Sequence, residues 1–183
     1  MCAWKTVSTQ TVFETPWIKV RKDEVITPAG TPGLYGVVEF KNRAVGVVPI
    51  TDDGQIVMVR QTRYAIGNIT SLEIPEGGAP VGEDWLETAK RELQEETGFT
   101  ATHIEPLLTG FHMSNSVTTE LGALFVATGL TAGNMELDDS EDIVVELYSY
   151  SEVMTMISDG VITDGLTIMA MLCIAMQKER FGL

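Results

Sequence analysis

GGAPVGEDWLETAKRELQEETGF, running from Gly77 to Phe99, changes character at its midpoint. Its first half is glycine-rich and reads as a loop. Its second half, 84–97, reads as a helix, with Asp84 placed to cap the start and Gly98 to follow the end. At about 100° per residue, with Glu92 set at 0°, Glu96 falls at about 40° and Glu95 at about 300°. On the same scale Trp85, Ala89, Leu93 and Leu86 fall at about 20°, 60°, 100° and 120°. Glu96 thus lies between Trp85 and Ala89, on the arc that should meet the core.

Two readings compete for these carboxylates. A surface helix accounts for Glu87, Arg91 and Glu95, whose spacing lets them pair as a ladder. It does not account for Glu96, because an unpaired desolvated carboxylate costs several kcal/mol and a neighbouring one adds repulsion. A hard divalent cation removes both costs, and oxygen ligands suit magnesium or manganese.

The flanks predict a mixed α/β or α+β layered domain. Strands are expected at 17–26, 34–40, 43–50, 55–61 and 71–75, the last entering EGGAPVGE as a glycine-rich loop. Asp53-Gly54 signals a hairpin between the third and fourth. Further strands are expected near 104–112, 121–128 and 143–149, and helices near 151–158 and 164–180, the last opened by Asp164.

Composition narrows the function. The 183 residues suit one domain, and 44% hydrophobic content excludes disorder as the main state. The net charge of −14 argues against nucleic-acid and anionic-membrane partners. Residues 1–70 carry a net +2, while 71–132 and 133–183 carry −8 each, which reads as a solvated acidic face or a cation-binding one. Two cysteines, Cys2 and Cys173, are too few for a disulfide framework or a thiolate zinc site, and Cys173 reads as an inert buried thiol. No apolar leader opens MCAWKTVSTQ and the apolar run 168–176 is short, so the expected location is cytoplasmic. His103 and His112 stand on strands without partner motifs, and the nine methionines read as core filling.

Gly77, five residues, Glu83, seven residues and then Arg91-Glu92-Leu93-Gln94-Glu95-Glu96-Thr97-Gly98-Phe99 resembles a complete Nudix box. The resemblance covers roughly 43–180 and implies a Nudix fold: a mixed β-sheet sandwiched between helices (α/β/α), with an N-terminal β-strand arm over 1–42 and the hydrolase domain over 43–183. It implies a Mg2+-dependent pyrophosphohydrolase, with Mn2+ as a substitute. By resemblance Glu92 and Glu96 are the main metal carboxylates, Glu95 is an additional one, and the carbonyl of Glu76 is a backbone ligand. Arg91 and Glu83 match a pair that holds the loop against the helix, although Arg91 also suits the surface ladder.

VRQTRYA (59–65) and LEIPEGG (72–78) resemble the ADP-ribose and nucleoside-diphosphate-sugar pyrophosphatases. That branch implies a nucleotide-sugar substrate and a homodimer formed through the N-terminal sheet. Trp17 or Tyr35 would then stack on the base, or serve only as sheet and interface aromatics; Arg63 would hold a phosphate, or be a surface charge. Ser114-Asn115-Ser116 stands where the branch has a Ser-Pro-Gly turn, a departure that points away from narrow ADP-ribose specificity.

Glu120 falls where the branch places a loop glutamate and is the candidate general base; Glu141, in ELDDSEDIVVE (136–146), is the rival. The leading reading is hydrolysis of nucleoside diphosphate sugars, ADP-ribose included, to a nucleoside monophosphate and a sugar phosphate. One alternative keeps the box but acts on nucleoside triphosphates, dinucleoside polyphosphates or capped RNA. Another is a nucleotide-sugar sensor, disfavoured because every box carboxylate is present.

Overall fold

A computed structural model describes residues 3–137 and 142–183. The chain opens with β1 (Lys5–Glu14), β2 (Ile18–Ile26) and β3 (Pro32–Phe40), an antiparallel sheet with β2 in the middle. β1 was not singled out from the sequence, because KTVSTQTVFE is exposed along its whole length and has no alternating buried face to read.

The rest builds a layered body. β4 (Asn42–Pro49) pairs in parallel with β9 (Leu121–Ala132) and antiparallel with β7 (Glu76–Pro80), while β8 (Phe99–His112) closes the far edge. β5 (Gln55–Arg63) lies between β6 (Ile69–Glu73) and β10 (Val144–Ser149) in a separate antiparallel sheet. The body thus holds the mixed sheet expected between the helices, β7-β4-β9-β8, with the antiparallel sheet β10-β5-β6 beside it. The Thr51–Gly54 turn forms, with the Gly54 N–H on the Thr51 carbonyl at 2.9 Å. Beyond the isolated Ile50–Ile56 bridge, however, its flanking strands enter different sheets instead of a hairpin.

Glu76–Pro80 is a strand where a loop was expected. Glycines have poor strand propensity, yet this segment is held by backbone pairing to β4, with Gly77 opposite Val45. β8 begins at Phe99, five residues ahead of the expected start, and α3 (Gly165–Ala175) ends before a short 3-10 turn at Lys178–Phe181.

The central residues of β4 and β9 have no solvent face. Val45, Val47, Ala123, Phe125 and Ala127 pack with Ala89 and Leu93 of α1 (Trp85–Thr97). Val48, Ile50, Leu124 and Val126 face the opposite core with Ile56, Met58, Ile74, Met171 and Ile174. That second core is covered by α3 and by α2 (Tyr150–Ser158), giving a helix–sheet–helix stack. Cys173 is buried, and burial pushes its thiol pKa up. Among the described residues no helix is long and apolar enough to cross a membrane.

Candidate active site

Asp84 Oδ1 accepts from the Leu86 N–H at 2.7 Å and caps α1. Gly98 ends it in the left-handed region at φ 72°, its N–H on the Gln94 carbonyl at 2.8 Å. Between those caps Glu92 and Glu96 are only 7% and 3% exposed, next to fully buried Ala89 and Leu93. Their burial agrees with the inward arc read from the sequence. Glu95 is half-buried. Glu87 pairs with Lys90 at 2.7 Å, so the expected ladder keeps only its Arg91–Glu95 rung.

Arg91 ties the box together. Its Nη1 lies 2.8 Å from both Glu92 Oε1 and Glu95 Oε2, its Nη2 donates to the Gly78 carbonyl at 3.2 Å, and its Nε is 3.8 Å from Glu83 Oε1. Burial opposes the Arg91 charge, but Glu92, Glu95 and Glu83 outweigh it and raise its pKa. Glu83 also accepts from Thr88 Oγ1 at 2.8 Å, which fixes the loop to the first turn of α1. Gly77 passes so close to Glu92 that a Cβ there would overlap the carboxylate.

A second acidic group comes from distant segments. The Ile74 N–H donates to Thr167 Oγ1 at 2.9 Å, and Asp164 Oδ2 accepts from the Thr167 N–H at 2.6 Å. These bonds bring Asp164 to Glu73 and Glu76, and one oxygen of each carboxylate lies within 4.8 Å of the others. Arg63 Nε donates to Glu73 Oε1 at 3.0 Å and its Nη2 to Glu76 Oε1 at 2.9 Å. Burial opposes the Arg63 charge; Glu73, then Glu76 and Glu96, more than compensate and hold its pKa above the usual arginine range. Glu76 is pushed well above the carboxylate range, first by burial, then by Asp164 and Glu73, with Arg63 opposing and Glu96 adding. Its Oε2 is buried without a hydrogen-bond partner, and its N–H donates to Glu96 Oε2 at 2.9 Å. Buried oxygen donors in excess of their cations suit a hard divalent ion.

One open cavity of about 670 Å³ is lined by Glu76, Glu92, Glu95, Glu96, Arg91, Arg63, Trp17 and Glu120. Glu120 ends the loop between β8 and β9, its carbonyl accepts from the Met113 N–H at 3.1 Å, and burial raises its pKa. Tyr35 and Glu83 stand outside the lining. Tyr35 directs its hydroxyl to the Ser116 carbonyl at 2.5 Å and its ring against Trp4. Glu141 lies outside the described residues. Asp164, Glu136, Arg43 and Asn42 line the cavity without having been singled out for it. Asp164 carried only the signal of a helix cap, and Glu136 only that of an acidic loop.

Residues 40–165 match the family described as NUDIX domain. The chain is a Nudix hydrolase. Residues 4–38 of this Nudix hydrolase match the nucleoside diphosphate sugar hydrolase N-terminal domain family. It is 33% identical over 176 residues to a methanol dehydrogenase activator of Bacillus methanolicus, covering 95% of this chain and 94% of that protein. It is 31% identical over 168 residues to an ADP-ribose pyrophosphatase of Bacillus subtilis (strain 168), covering 91% and 89%. The crystal structure of an ADP compounds hydrolase superposes at a TM-score of 0.87 over 98% of this chain and 96% of that one; at 22% identity the likeness concerns the fold. The family, the fold and the hydrolase class expected from the box therefore hold for this Nudix hydrolase.

Proposed function

We propose that this Nudix hydrolase splits the diphosphate of nucleoside diphosphate sugars, ADP-ribose included, into a nucleoside monophosphate and a sugar phosphate. The observation that carries the reading is the convergence of Glu92, Glu95 and Glu96 with Arg63, Trp17 and Glu120 on one cavity. The named B. subtilis relative supports the substrate class.

In this reading Glu92 and Glu96 hold Mg2+, with Glu95 and the Glu76 carbonyl completing the set and Mn2+ accepted in its place. When bound, the ion supplies charge neutralisation for the diphosphate and makes water more acidic. Arg91 and Glu83 keep the carboxylates aimed. Arg63 lines the same cavity and would hold a phosphate, although Glu73 and Glu76 already offset its charge. Trp17, 69% exposed at the rim, offers its face to the base. Glu120 takes the proton from water as the new P–O bond forms; the bridging P–O bond breaks and the other phosphate leaves. Exposed Trp4, Val7, Val12, Phe13 and Leu34 support pairing of two copies through the N-terminal sheet.

A hydrolysis panel tests the reading. ADP-ribose, ADP-glucose, GDP-mannose, UDP-glucose, a dinucleoside polyphosphate and nucleoside triphosphates are each incubated with Mg2+ or Mn2+, and products are separated by anion exchange. Monophosphate from several nucleotide sugars, lost in Glu96→Gln, is the expected result. Turnover of triphosphates alone would reassign the substrate, and binding without turnover would make the protein a sensor.

A further inference from the structure

The loop that ends in Glu120 is fastened along one side to the N-terminal arm. Val38 of β3 donates its N–H to the Val117 carbonyl at 2.9 Å and accepts from the Thr119 N–H at 3.0 Å. Thr119 Oγ1 accepts from the Phe40 N–H at 3.3 Å, and Val38 forms a parallel bridge with Thr118. Farther out, the Tyr35 hydroxyl donates to the Ser116 carbonyl at 2.5 Å. That phenol is braced by Trp4, whose ring stands edge-on at 5.3 Å and 81°. Thr119, the residue before Glu120, is thereby held on its N–H and on its hydroxyl. Across the loop, Ser114 accepts from the N–H groups of Val117 and Thr118 at 3.2 and 2.9 Å.

We propose that β3 acts as a splint for the Glu120 loop, with Tyr35 and Thr119 as positioning residues that set where the Glu120 carboxylate sits in the cavity. The inference rests on the reading of Glu120 as the base. Neither residue lines the cavity, so their effect on chemistry passes through the loop. The strand presents unpaired backbone groups on the edge facing the loop, and the loop answers with its own, as one strand adds to another. A group displaced by about 1 Å from its reacting partner loses rate far out of proportion to the bond removed.

The test is kinetic. Tyr35→Phe and Thr119→Val are each expected to lower kcat by about five- to twentyfold while KM changes by less than about twofold, since the substrate contacts are untouched. Thr119→Ser, which keeps the hydroxyl, is expected to restore kcat. Neither Tyr35→Phe nor Thr119→Val should lower kcat further in a Glu120→Gln background. Equal losses in both backgrounds, or a normal kcat in Tyr35→Phe and Thr119→Val beside an inactive Glu120→Gln, would overturn the splint alone. Near-normal turnover by Glu120→Gln itself would overturn the base reading and the splint with it.

Discussion

The space that a side chain at position 77 would need is occupied by the carboxylate of Glu92: a Cβ built on Gly77 overlaps all three of its terminal atoms. The box glycine is required here by close approach. Because Gly77 lies in a strand held in register with β4, the backbone cannot retreat without unpairing from Val45. Gly77→Ala is expected to reduce turnover by about a hundredfold or more by swinging Glu92 aside, with an overpacking cost of about 1–3 kcal/mol in stability. Steady-state kinetics with a thermal melt checks it, and wild-type turnover would contradict it.

Arg91 contacts Glu83, Glu92, Glu95 and the Gly78 carbonyl at once. Lysine has the charge but not the fork, so Arg91→Lys is expected to lose about tenfold in kcat and Arg91→Ala about a hundredfold. Weaker Mg2+ affinity in a calorimetric titration should accompany the loss. Unchanged kinetics in Arg91→Ala would reduce this residue to a surface rung.

Glu76 supplies the pH prediction. Its folded-state pKa is raised, mainly by burial, so the folded protein binds that proton more tightly than the unfolded chain does. The cost of ionising it in the fold therefore grows as pH climbs from the ordinary value of 4.5 through the raised one. In metal-free protein, the melting temperature of Glu76→Gln should rise relative to wild type as pH climbs above about 4.5. A difference that stays flat, or runs the other way, counts against the buried charge.

Trp17 is exposed at the cavity rim. If its ring stacks on the base, Trp17→Ala should raise KM for nucleotide sugars about tenfold, within the roughly 1–3 kcal/mol of a base–aromatic stack, and leave kcat within about twofold. An unchanged KM would leave Trp17 an interface aromatic.

The helix of the box was legible because its signals are local: Asp84 and Gly98 bracket it, and the wheel turns Glu92 and Glu96 inward. β7 was not legible, since Gly77 and Gly78 prefer no strand and are drawn into one by β4. The turn at Asp53-Gly54 was visible, but the parting of β4 and β5 into two sheets depends on which neighbours each strand finds later in the chain. Asp164 reaches the cavity only because Thr167 docks on Ile74, a meeting of residues 93 apart that no local pattern encodes. Tyr35 was readable as an aromatic on a strand, but its partner, a carbonyl 81 residues away, was not.

The contact between β3 and the loop before Glu120 is written mostly in main-chain atoms. Such a joint tolerates change at most side chains of β3, Tyr35 excepted, whereas deleting or shifting one residue of the strand would move every bond along the row. An arm of equal strand length that keeps a tyrosine at position 35 should hold the loop equally well. For this part of the molecule, spacing constrains the joint more than most of its side chains do.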